Sequence, residues 1–148
     1  MVESSMAQQA ERLSKRRARM LPVLAIFYFG QQVTFFSSPM GDRAVDHFKI
    51  GAWVALSLVL MTLLLSGGFW SRTRELRDLL EDETSRAHRA DALGTGFVVA
   101  MATGIILYVV GTMTPVSARE AIHIIVSFGI ATALVRFGWL ERRALRDA

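Results

Sequence analysis

The chain has 148 residues, 52% of them hydrophobic and 20% charged, with a net charge of +4. That length suits one domain, but the apolar residues stand in long runs and the charged ones in short runs, which is the pattern of a membrane protein rather than a soluble one. There is no cysteine, which excludes disulfides, thiolate metal sites and cysteine nucleophiles.

Residues 1–20 read as a short amphipathic, basic helix with Val2, Met6, Ala10 and Leu13 near one face, suited to an anionic leaflet; the other reading is a disordered basic tail. Ser5 and Gln8 have capping-box spacing. The basic segment and the apolar run that follows would fit a cleavable signal, but Gln31 and Gln32 interrupt the run and no clean small-x-small site closes it, so it reads as retained. It is predicted to be a retained first span over 21–37, with Pro22 in the first helical turn. The two glutamines cost free energy in lipid unless they face protein or water, so both are assigned to a polar bundle interior. Interhelical hydrogen bonding is one role for them, and a lining for a substrate or ion path, together with Thr34, is the other.

Residues 38–49 are predicted to form an outer loop, broken at Pro39 and Gly41. A second span follows at 50–70, with Trp53 and Trp70 as interfacial anchors near its ends. Its helix is expected to run on to about Leu80 and turn near 81–85. A new helix over 86–112, capped by Asp82 or Thr84, then carries the third span at 93–112. Ala92, Gly96, Ala100 and Gly104 recur every fourth residue, a small-xxx-small ridge that lets another helix approach closely, whether in this chain or in a second copy. A tight outer turn over 113–120 leads to the fourth span at 119–139, with Trp139 at its inner end and a basic tail over 141–148.

The fold class is therefore all-α: a four-span helical bundle joined by one charged connector, 71–92. Orientation follows from basic residues: fourteen fall in the N-terminal segment, connector and C-terminal end, against three (Arg43, Lys49 and Arg119) in the other loops. Over short loops this asymmetry places both termini and the connector in the cytoplasm, and a bacterial inner membrane is the natural host.

Chemistry-bearing patterns are sparse. Glu120 and His123 make a single E-x-x-H, whereas bundle di-metal sites use that motif twice with two further glutamates. Asp42, Asp46, His47, Glu120 and His123 form at most a loose outer cluster, and the histidines stand near membrane boundaries rather than mid-span, where axial haem ligands would be needed. No span carries a mid-membrane Asp, Glu or Lys, which weighs against ion-coupled transport. No nucleophile stands with a base in a recognisable motif, so neither an enzyme nor a cofactor protein is expected.

The connector remains. Topology asks only for arginine there, yet it also holds six acids, including Asp82, Glu83 and Asp91. Such a segment is either a self-paired, solvated helix end or a docking surface whose mixed charge selects a protein partner. The run RDLLEDETSRAHRADALGTGFVVAMATGI, with its L-x-D-E-x-x-x-A-x-R connector, and the later REAIHIIVSFGIATALVRFGWLERRA resemble a group of small, largely uncharacterised four-span bacterial membrane proteins. The resemblance covers about the C-terminal half. Some proteins of this kind are encoded beside a compact helix-turn-helix regulator and are thought to hold it at the membrane. The resemblance implicates Leu79, Leu80, Asp82, Glu83, Arg86, His88, Arg89 and Asp91 in partner binding. It implies a regulatory or scaffolding protein that binds a soluble cytoplasmic protein and not nucleic acid itself. The alternatives are a small transporter or channel component, or an accessory subunit of a larger membrane complex; a homo-oligomer fits any of these.

Overall fold

In hydrocarbon, backbone N–H and C=O groups must bond within their own segment, so apolar runs of this length become helices. The computed structural model describes residues 2–37, 44–66 and 83–147. They form four helices and no strand: α1 (Val2–Ser37), α2 (Ala44–Leu65), α3 (Glu83–Gly111) and α4 (Ala118–Asp147). Among the described residues, three segments are long and apolar enough to cross a membrane: His47–Leu65, Glu83–Gly111 and Ala118–Asp147. The molecule is a membrane protein.

The other helices pack on α4, which meets α3 most extensively, then α1, and α2 only lightly. Ser127, Ile130, Leu134 and Phe137 are buried at steps of three or four, giving α4 one continuous inward stripe. From α1, Leu21, Ala25 and Tyr28 repeat the same spacing and are buried; Leu60 and Leu64 of α2 complete the core.

The small-residue ridge lies against α4 of the same chain. A Cβ on Gly96 would stand 2.7 Å from the Gly129 carbonyl oxygen and 2.9 Å from the Ala133 Cβ. One on Gly129 would stand 3.1 Å from the Ala100 Cβ, and one on Gly104 would meet Ile125 at 3.5 Å, an ordinary contact. Ala92 is fully buried. The backbones are thus closest at Gly96 and Gly129, and the helices ease apart toward Gly104.

Pro22 does not open a helix. It lies inside α1, which runs unbroken from Val2, so the basic N-terminal segment and the expected first span are one helix and Ser5 is interior rather than a cap. The residues before Pro22 are mostly good helix formers, so nothing stops the helix short of it. The proline ring seats against Gly138 of α4, where a Cβ would come within 2.8 Å of its Cδ and 2.9 Å of its Cγ.

Other boundaries also differ from the sequence expectation. α2 begins at Ala44, so residues 44–49 are helix rather than outer loop; no breaker follows Gly41. Its helix ends at Leu65, short of Trp70, and the expected extension to Leu80 lies outside the described residues. α3 starts at Glu83, which puts Thr84 inside the helix instead of at its cap. The expected tail is the end of α4, helical to Asp147, because ERRALRD is rich in helix formers.

Candidate functional site

Residues 15–19 of α1, the start of α3 and the end of α4 gather at one end of the bundle. Ser85 of α3 donates to Oε1 of Glu141 on α4 at 3.2 Å, and Nδ1 of His88 stands 3.5 Å from the same oxygen. Glu141 is only 5% exposed. A serine nucleophile needs the imidazole between it and the carboxylate. Here hydroxyl and ring converge on one carboxylate oxygen, and His88 Nδ1 makes no hydrogen bond among the described residues, so the Ser85 hydroxyl is what ties α3 to α4. Arg136 donates from Nε to Oδ2 of Asp91 at 2.7 Å, a second α3–α4 link. Both groups are well exposed, so that pair contributes at most about 1 kcal/mol. Arg136 and Arg143 flank the Trp139 ring, their guanidinium carbons 5.2 and 5.7 Å from its centre.

The residues assigned to partner binding fall unevenly on this surface. Leu79, Leu80 and Asp82 lie outside the described residues. Glu83 and Arg86 are exposed on the first turns of α3, while His88 and Arg89 are partly buried. Asp91 is exposed but bound to Arg136 of another helix. Sequence reasoning missed Glu141 altogether. Its signal is faint: an acid two residues past Trp139 in an otherwise basic stretch.

A second polar group lies inside the bundle. His123 of α4 donates from Nε2 to Oε1 of Gln32 on α1. Nε2 of Gln32 donates to the Tyr28 carbonyl at 3.3 Å, and the Tyr28 hydroxyl shares a 2.7 Å hydrogen bond with Ser57 of α2. Trp53 of α2 stacks on the His123 ring with centres 4.2 Å apart and planes at 22°. The buried Trp53 Nε1 and Ser127 Oγ have no hydrogen-bond partner among the described residues. These contacts do for α2 what its light packing does not: they fix it to α1 and α4.

This arrangement corrects three expectations. Gln32 is buried, but Gln31, one step around the helix, is exposed and is not part of the interior. His123 is 3% exposed and joins the interior rather than an outer cluster, because it falls on the stripe that continues through Ser127, Ile130 and Leu134. Trp53 is partly buried against that ring rather than standing as a free interfacial anchor. The side chain of Thr34 and residue Asp42 lie outside the described set.

Glu120 does not join His123. It closes a capping box: Ser117 donates to Glu120 Oε2 from its backbone N at 3.0 Å and its hydroxyl at 2.8 Å, and the Glu120 backbone N–H donates to Ser117 Oγ at 3.2 Å. Among the described residues no three His, Asp or Glu side chains come together as metal ligands.

No known protein family, curated protein or solved structure matches the chain.

Proposed function

We propose that this protein is a non-enzymatic regulatory or scaffolding protein of a bacterial inner membrane, crossing it four times with both termini in the cytoplasm, and that its charged end binds a soluble protein. The observation that carries this reading is the convergence of residues 15–19 of α1, the start of α3 and the end of α4 at one pole of the bundle. The start of α3 is tied to the end of α4 by Ser85 with Glu141 and by Asp91 with Arg136, and α4 is tied to α1 by Arg142 with the Ala18 carbonyl, while Glu83 and Arg86 are exposed. A surface held by ties between helices is pre-ordered, which lowers the entropy cost of docking. Its mixed charge favours a partner of complementary pattern. A compact helix-turn-helix regulator is the partner suggested by the sequence resemblance; acidic groups here would compete with DNA for its basic face.

A second reading has its own observation. The cluster of His123, Gln32, Tyr28 and Ser57 gives the bundle a polar interior, as a small transporter or channel component requires. Photo-crosslinking from position 86 in intact cells, followed by purification in mild detergent, separates the two. Capture of a soluble DNA-binding protein supports docking; capture of other membrane subunits alone supports an accessory role. A uniform absence of crosslinks, with solute flux in vesicles abolished by Gln32→Leu, supports transport.

A further inference from the structure

At the charged end, α1 and α4 flank an open cavity of about 460 Å³ lined by Lys15, Ala18, Arg19, Arg142, Leu145 and Arg146. Four basic side chains line this one hollow. Two of the same arginines, Arg142 and Arg146, line the adjoining hollow together with Trp139, Arg143 and Asp147, the last standing 3.8 Å from Arg143. Trp139 in turn lines an open groove of about 400 Å³ bounded by Ala131, Thr132, Val135 and Arg136 of α4, Phe29 of α1 and Thr95 of α3. Along α4, positions 131, 135, 139, 142 and 146 advance by three or four residues, so a single helical face passes from the apolar groove to the basic cavity.

We propose that this face binds one anionic phospholipid, its phosphate among Lys15, Arg19, Arg142 and Arg146 and an acyl chain in the groove beside Val135 and Ala131. Charge complementarity selects an anionic headgroup, and basic pockets between membrane helices are suited to such headgroups. The adjoining groove distinguishes a lipid from a free phosphate, because its lining is largely apolar surface that an acyl chain covers and an inorganic phosphate does not. Trp139 sits at the junction, where an amphipathic ring meets both halves of a phospholipid. The site is independent of whether a soluble protein docks on α3.

The test is quenching of Trp139 fluorescence in detergent micelles by phosphatidylglycerol or phosphatidylcholine with brominated acyl chains, the Trp139 signal being the part lost in Trp139→Phe. Phosphatidylglycerol should quench at far lower mole fraction than phosphatidylcholine. Arg19→Gln with Arg146→Gln should weaken that preference roughly 25-fold, at about fivefold for each basic residue removed near the surface. Arg12→Gln, which removes a cation from the same end but outside the cavity, should leave it unchanged. If the double variant does not fold, the single changes carry the test at about fivefold each. Inorganic phosphate at millimolar concentration should not displace the lipid. Equal quenching by the two lipids, an equal loss in Arg12→Gln, or displacement by inorganic phosphate would each overturn the proposal.

Discussion

Arg142 of α4 donates from Nε to the carbonyl oxygen of Ala18 at 3.0 Å, and that carbonyl is the one a backbone N–H at position 22 would serve if Pro22 had one. An interior proline removes one helical hydrogen bond and crowds the carbonyl four residues back. Here Gly138 makes room for the ring and Arg142, one turn further on, supplies the missing donor. Arg142→Gln should lower stability by about 1–2 kcal/mol, the range for losing a hydrogen bond from a charged donor that is partly exposed. In a Pro22→Ala background the same change should cost less, since the substituted residue restores the helical donor. Unfolding in mixed micelles, read as a double-mutant cycle, checks this; strictly additive losses would contradict the link.

The α3–α4 ridge should be sensitive in a graded way. Gly96→Ala places a methyl group against the Gly129 carbonyl and Ala133, and should cost about 1–3 kcal/mol by overpacking. Gly104→Ala meets Ile125 at an ordinary contact distance and should be nearly neutral. Thermal stability in mild detergent distinguishes them, and equal effects would mean that the helices do not close toward Gly96 as described.

The interior polar chain should behave as a unit. Gln32→Leu takes the acceptor away from the His123 N–H, and His123→Leu takes the donor away from the Gln32 oxygen; each should cost about 0.6 kcal/mol and at most about 1.7 kcal/mol, the range for polar pairs in membrane bundles. The double change to leucine should cost less than the sum. Tyr28→Phe should loosen α2 selectively, by removing its hydrogen bond to Ser57. Accessibility of a cysteine placed at Gly51, on the exposed face of α2, should then rise while one at Gly94 on α3 stays unchanged.

Much of the helical layout could be read from the chain, and the reasons for the failures are specific. The Ala92 to Gly104 ridge was visible because its spacing is a local property, and the α3–α4 turn because Pro115 breaks helix; the Ser117–Glu120 capping box that closes that turn went unread. Which of Gln31 and Gln32 turns inward was not visible: adjacent residues differ by about 100° around a helix, and only the position of the neighbouring helix decides between them. Pro22 was misplaced for a related reason, since a proline at a helix start and a proline supported by Gly138 and Arg142 look alike in sequence. Glu141 was hidden because its partners, Ser85 and His88, lie more than fifty residues away.

Topology has a separate check. Reporter fusions at Leu80 and after Ala148 should read cytoplasmic, and one after Val116 should read external, as the distribution of arginines requires. An external signal at Leu80 would reverse the orientation and remove the charged end from any cytoplasmic partner.

The most direct measurement of the docking reading is the fraction of the crosslinked soluble partner that stays with membranes after Asp82→Lys combined with Glu83→Lys. Glu83 is exposed, and exposed charges contribute about 0–1 kcal/mol to folding, so the protein should still insert and keep its detergent stability. Rim charges set encounter rate and salt dependence, so the partner should be released and its residual binding should become more salt-sensitive. A partner that remains fully membrane-bound in the reversed variant, with the protein inserted normally, would contradict the claim that it docks on this end of the bundle.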